Sequence, residues 1–232
     1  MRILALDTAT EACSVAVLTP QGLHVRYLEL EKGHSELILT LVDAVLAEAA
    51  LELRQLDAIA FGRGPGGFTG VRLATSVAQG LAFAAQRPVV PISDLRALAQ
   101  RALDEAPTAR GVVACADARM KEVYWACFRR GPDGLAEGIG EERVGAPSTV
   151  ELPPGFPGPV HGVGRGFAAY PALAASLSGQ LASLRADLLP RAEEIARLAM
   201  PELEAGRTVP AELAAPVYLR NDVARPAVMK SS

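Results

Sequence analysis

The feature that most constrains this chain is a plan that occurs twice. The stretch RILALDTATEACSVAVLTPQGL at residues 2–23 can be laid on GVVACADARMKEVYWACFRRGPDGL at residues 111–135. In both, an apolar run of strand length ends on an aspartate, Asp7 or Asp117, and a second such run leads to a turn, TPQG or GPDG. The second copy is two residues longer between those landmarks, and the match is one of pattern rather than identity. A strand, hairpin and strand repeated in this way predict two lobes of one architecture.

Periodicity fills in the rest. Strands are expected over 2–7, 12–18 and 23–30, and the spacing of Leu37, Ile38, Leu41, Val42, Val45, Leu46 and Ala49 predicts an amphipathic helix over 35–51. A strand over 56–62, a helix from about Thr69 to Gln86, a strand in RPVVPIS and a helix capped by Ser93 or Asp94 complete a βββαβαβα half. After the second hairpin, GPVHGVGRGFAAYPALAASL reads as strand, glycine turn and helix, and LASLRADLLPRAEEIARLAM as strand and helix. These boundaries divide the chain into a first lobe at 1–105, a second at 106–209 and an extended tail at 210–232, expected to dock late or against a partner. ELPPGFPGPV (151–160) is a connecting loop inside the second lobe.

Composition narrows the function classes. Half of the 232 residues are apolar, enough for a full core, and a formal charge of −3 argues against autonomous binding of tRNA or DNA. The three cysteines lie in apolar, strand-like runs with no C-x-x-C, which suits core filling in a reducing compartment. MRILALDTAT begins as a strand rather than a signal peptide, and no charge-free apolar stretch of membrane length occurs, so a cytoplasmic protein is expected.

Three turns carry the candidate chemistry. Asp7, Thr8 and Thr10 close a buried strand, a layout that suits hydroxyls facing a phosphate and a carboxylate holding a hydrated cation; the commoner role of such residues is to satisfy a turn's own backbone. GRGPGGFTG, with Gly66 and Gly67 before a helix, could admit an anion to the helix N-terminus. It lacks the lysine of a P-loop and the register of a dinucleotide fold, so it is predicted to be chiefly a helix-entry turn shaped for close packing. Gly162 and Gly164 of HGVGRG form the third turn, open to an adenosine contact or to a bare turn, and Asp117 repeats Asp7. Asp117, Arg119, Lys121 and Glu122 fit a solvated hairpin tip better than an acid–base pair. His24, His34 and His161 are nowhere three or four residues apart, so no helical metal pair exists, and no G-x-S-x-G elbow occurs. No catalytic residue and no metal ligand is assigned.

ILALDTATEACSVAV, GRGPGGFTGVRLATSVAQGLA, DARMKEVYWACF and PVYLRNDVA, in this order and spacing, resemble the TsaB (YeaZ) family over nearly the whole chain. The resemblance implies the α/β fold of the actin/Hsp70/sugar-kinase superfamily, with two ribonuclease H-like lobes. It also implies a non-catalytic subunit of the complex that installs threonylcarbamoyl on adenosine at position 37 of tRNA. The family more often has serine where Gly67 stands, so any contact through that hydroxyl is missing here. The catalytic sibling carries H-x-x-x-H on the helix after PVVPIS, where this chain has Asp94 and Leu98; leucine cannot ligate a metal, and substituting Asp94 is expected to matter little. Implied partners are a TsaD-like transferase, a TsaE-like ATPase subunit and a second copy of this chain, with tRNA met only through the complex and no membrane. No cofactor is expected for this chain alone, although the complex uses ATP. Leu37, Leu41, Val45, Val71, Ala74 and Ala78 are expected to form the association surface, unless both stripes face the chain's own sheet. The alternative function is an ATP-dependent kinase-like enzyme or ATPase of the same fold.

Overall fold

A computed structural model describes residues 1–220 of the chain. Its first half runs β1 (Ile3–Asp7), β2 (Ala12–Thr19), β3 (Gly22–Glu29), α1 (His34–Glu48), β4 (Ala58–Gly62), α2 (Phe68–Ala85), β5 (Val89–Ile92) and α3 (Asp94–Glu105). The second half runs β6 (Gly111–Asp117), β7 (Val123–Arg130), β8 (Ala136–Gly145), β9 (Val160–Val163), α4 (Arg165–Ala169), α5 (Pro171–Ser176), β10 (Leu181–Arg185) and α6 (Ala192–Glu204). The two sheets are ordered β3-β2-β1-β4-β5 and β8-β7-β6-β9-β10, so each strand of one has its counterpart in the other. In both, the first two strands pair antiparallel through the hairpin and the first pairs parallel with the fourth.

Local sequence explains the elements. The β1 run ILALD is buried at every position because helices cover both faces of its sheet, which removes the alternation of a half-exposed strand. Ser93 caps α3 by accepting the Arg96 amide (3.1 Å). Gly67, not Thr69, precedes the first turn of α2 and supplies no side-chain cap. The single helix expected after β9 is divided into α4 and α5, because Pro171 cannot continue a helix and holds Tyr170 at φ −132°, ψ 81°.

The elements stack in five layers. Leu4, Leu6, Val15, Ile59 and Phe61 of the first sheet pack against α1 and α2. On its other face Ile3, Ala5, Ala16, Ala58 and Ala60 meet Ile195, Ala196 and Ala199 of α6. Val112, Ala114 and Phe128 of the second sheet pack on Leu95, Leu98 and Leu103 of α3, and its far face is covered by α4 and α5. Each lobe therefore lends its last helix to the other's sheet: α3 leaves the first lobe to cover the second, and α6 does the reverse. A division of the chain at residues 105 and 209 follows the sequence order of the lobes but not this packing.

The stripes expected to form an association surface face inward. Leu41, Val45, Ala74 and Ala78 belong to the core cluster against the first sheet, Val71 is buried beside them, and Leu37 is half-buried. The apolar periodicity of α1 and α2 is that of helices lying on their own sheet, where each buried Leu or Val contributes about 1.5–3 kcal/mol. What α1 and α2 turn outward includes Leu39, Phe68 and Phe83.

The described part of the tail is docked on its own chain. Val209 bridges Val89, the Gln79 amide donates to the Ala214 carbonyl (2.9 Å), and the Val217 amide donates to the Arg63 carbonyl (2.8 Å). Residues 221–232, which include the end of PVYLRNDVA, lie outside the described residues.

Candidate functional site: the cleft between the lobes

The two hairpins, the glycine turn and the docked tail converge on a cleft of about 1030 Å³ between the lobes. Its first-lobe wall is Thr8–Glu11, the β3–α1 connection and Pro65–Val71; its second-lobe wall is Ala116–Met120 and Arg165 of α4. Tyr218 and Arg220 stand at the mouth. Of the residues singled out in the sequence, Thr8, Thr10, Gly66, Gly67, Asp117 and Arg119 line this cleft, whereas Asp7, Gly162 and Gly164 do not.

The glycine turn is built for contact with the β1–β2 hairpin. A Cβ on Gly70 would stand 2.0 Å from the Thr8 carbonyl oxygen, and one on Gly66 would stand 2.6 Å from that of Ala9. The Gly67 amide donates to the Ala9 carbonyl (2.7 Å), and the Thr8 hydroxyl donates to the Gly70 carbonyl (2.7 Å). The Gly64 amide donates to the Asp94 carboxylate. Two of the amides that would have to meet a phosphate are thus already held by the chain itself, which favours the packing role of this turn.

The second hairpin is different. Arg119, Met120 and Lys121 all adopt positive φ (60°, 53° and 65°), an unusual run for residues with a Cβ. Asp117 anchors the tip from within, accepting from the Arg119 amide (2.8 Å) and the Tyr170 hydroxyl (3.2 Å). Arg220 braces it from outside, donating to the Ala118 carbonyl (3.2 Å) and pairing with Glu122. The side chains of Arg119 and Met120 remain exposed.

Ion pairs cross the cleft. Arg165 of α4 reaches Glu29 (2.6 Å) and Glu11 (3.3 Å), and Arg63 pairs with Glu142 of β8 (3.2 Å). At the mouth the Arg72 guanidinium lies over the Phe68 ring (3.4 Å to its centre), and its Nε donates to the Tyr218 hydroxyl (2.8 Å).

Beneath the cleft, Asp7 and Asp94 are buried together. Burial pushes Asp7 up to about 6 and Asp94 well above the carboxylate range, the Asp7 charge adding to the second shift. Asp94 is therefore no solvated helix residue whose replacement would be indifferent; it is the side chain that fixes Gly64. The capping position hid this, because a residue at a helix start is equally at home in water. Leu98, one turn on, is in the core under the second sheet. His34 lines the cleft, His24 is on β3, and His161 is on β9 beside Ser183. Among the described residues no cluster of three His, Cys, Asp or Glu is placed to hold a metal, and no helix is long and apolar enough to cross a membrane.

Over 225 residues, covering 97% of this chain and 96% of the relative, the sequence is 41% identical to the Escherichia coli tRNA threonylcarbamoyladenosine biosynthesis protein TsaB. The chain belongs to the TsaB (YeaZ) family. The Haemophilus influenzae TsaB is likewise 41% identical, with 96% of this chain and 95% of the relative covered. A family model described as TsaD, tRNA N6-adenosine threonylcarbamoyltransferase, matches residues 28–228. The solved structure of YeaZ from Pseudomonas aeruginosa superposes with a TM-score of 0.84 at 43% identity, covering 94% of this chain and 99% of that one. The fold of this TsaB-family chain is that of the actin/Hsp70/sugar-kinase superfamily, with two ribonuclease H-like lobes.

Proposed function

We propose that this TsaB-family chain takes part in threonylcarbamoyladenosine formation on tRNA as a non-catalytic subunit, inactive alone, that stabilises the competent conformation of a TsaD-like transferase. The names of its full-length relatives support the pathway. The observation that carries the non-catalytic reading is the start of α3, where the resembling transferase has two histidines. Here Asp94 is turned into the protein to hold the glycine turn, and Leu98 belongs to the core. Asp94 is sealed from the cleft, and Leu98, which does border the cleft, carries no atom that could ligate a metal. A partner of this kind acts by binding one state of the transferase more tightly than another.

The outward faces of α1 and α2 fit the association surface of this reading, with a second copy of the chain and the transferase as competing occupants. They expose Leu39 and Phe83, and Gly80 has open space above it, so a partner helix can approach closely. A TsaE-like ATPase subunit would join the assembly, ATP would be used by the complex, and tRNA would be met through it.

The test is reconstitution of tRNA modification from purified transferase, ATPase subunit, donor and tRNA, with and without this chain. Modification should rise when the chain is added, and Phe83→Glu should abolish the rise while leaving the fold intact. Robust transfer or ATP turnover by this chain alone, surviving contamination controls, would overturn the reading in favour of an enzyme. Such an enzyme would use Asp7, Asp117 and the glycine turns, of which Asp117, Gly66 and Gly67 line the cleft.

A further inference from the structure

The acidic pair beneath the cleft is arranged as a device in its own right. Asp7 ends β1 and is 0% exposed; Asp94 begins α3 and is 2% exposed. Each gives one oxygen to the backbone: Asp7 Oδ1 accepts the Ala9 amide (2.8 Å), and Asp94 Oδ2 accepts the Gly64 amide. Their other oxygens, Asp7 Oδ2 and Asp94 Oδ1, are buried with no donor among the described residues. Two ionised carboxylates with an orphan oxygen apiece, sealed from water, are strongly disfavoured. The two carboxyl groups converge beneath Gly62, where a single added Cβ would stand 2.3 Å from Asp94 Oδ1 and 2.8 Å from Asp7 Oδ1. Each group acts on the other, so one proton between them serves both.

We propose that Asp7 and Asp94 share a single proton, and that the acid–carboxylate bond so formed is a clasp which holds the glycine turn against the first hairpin and opens when the proton leaves. Asp94 carries the proton and donates it to the Asp7 carboxylate. The clasp joins three segments. Asp7 fixes Ala9, whose carbonyl takes the Gly67 amide; Asp94 fixes Gly64 in both directions, since its own amide donates to the Gly64 carbonyl (3.1 Å). Asp94 also belongs to α3, the helix lent to the second sheet, so the bond ties the floor of the cleft to both lobes. Gly62 seals it from above, since a Cβ there would meet both carboxyl groups.

The neighbours set the pH at which the clasp works. His34 of α1 acts on Asp7, and Arg63 of the glycine turn acts on Asp94, each favouring the ionised form. Cys13 on β2, pushed up to about 11 by burial and then by Asp7, stays a neutral thiol. Burial outweighs these charges at both acids. Asp7 ionises near pH 6 and Asp94 well above its usual range, so the singly protonated pair occupies the pH interval between those two events. The folded pair binds more protons than the unfolded carboxyls, which titrate near about 4. Stability therefore falls as pH rises from there through about 6, and falls again as the shared proton is lost.

The experiment uses the full chain. In Asp94→Asn the amide oxygen still accepts from Gly64 and the NH2 donates to Asp7, so the clasp is kept without a proton to lose; Asp94→Ala removes it. Thermal midpoints are measured from pH 5 to 10. The unmodified chain should decline at alkaline pH by at least ~3 °C more than Asp94→Asn, while Asp94→Ala should be lower at every pH. Parallel decline of the unmodified chain and Asp94→Asn, or an Asp94→Asn variant as unstable at pH 7 as Asp94→Ala, overturns the shared proton. Carboxyl-carbon NMR of the unmodified chain decides the matter without a variant. Asp94 must remain protonated at pH 7 with Asp7 ionised; two carboxyls titrating together near about 4 would refute the pair.

Discussion

Gly70 and Gly80 lie in the same helix, α2, and the same change to alanine should move stability in opposite directions. At Gly70 the new methyl would stand 2.0 Å from the Thr8 carbonyl oxygen, a backbone atom that no rotamer change can remove. Overpacking of that kind costs about 3 kcal/mol, the upper end of the usual range. Moving the hairpin aside to relieve it stretches the Thr8–Gly70 hydrogen bond, worth about 1 kcal/mol. Better helix propensity returns roughly 1 kcal/mol, which leaves a net loss of about 3 kcal/mol. At Gly80 nothing lies within 4 Å of the added methyl, so only the gain of roughly 1 kcal/mol remains. For a chain of this length 1 kcal/mol is about 2–4 °C. Gly70→Ala should therefore melt roughly 6–12 °C lower and Gly80→Ala about 2–4 °C higher by circular dichroism, with matching shifts in urea midpoint. A Gly70→Ala protein as stable as the unmodified one, or two variants shifted alike, would refute the account of the glycine turn as a packing device.

Leu41→Glu or Ala78→Glu places a charge in the first core and should leave no cooperative melting transition, whereas Leu39→Glu and Phe83→Glu should melt within a few degrees of the unmodified chain; sedimentation of the latter two should show weakened self-association. The cysteines are buried, and burial pushes Cys13 up to about 11, Cys127 up to about 12 and Cys115 higher still. A thiol reagent at pH 8 should therefore leave all three unmodified in the native chain and reach them only in denaturant. Arg165→Ala removes the pairs to Glu29 and Glu11, which are partly exposed and worth at most ~1 kcal/mol. Its melting point should drop only slightly, while small-angle scattering should show a wider spread of lobe separations.

The doubled plan was legible because its signals are local: apolar runs of strand length, the aspartates that end them and the turns that return the chain. They led directly to two sheets with matching strand order. The cap at Ser93 and the packing role of GRGPGGFTG were legible for the same reason. A helical stripe, in contrast, says that a face is covered but not by what. Leu41, Val45, Ala74 and Ala78 read alike whether they meet a partner or their own sheet, and α3 and α6 gave no sign that they cover each other's lobes. Asp94 looked like an ordinary helix-start residue, since its burial depends on Asp7 and Gly62, which are distant in sequence. The bridge from Arg63 through Val217 to Arg220 spans both lobes, and neither hydrophobic period nor turn chemistry signals such a path.

The exchange of α3 and α6 also dictates an order of events during synthesis. The first sheet is complete once β5 has been made, yet one face, with Ile3, Ala16 and Ala60, stays bare until residues 192–204 emerge. A nascent chain halted anywhere between must present that apolar face to solvent or to a chaperone. Truncation before α6 should thus yield a sticky fragment rather than a free-standing first lobe, and the two halves, expressed as separate chains, should be soluble only when made together.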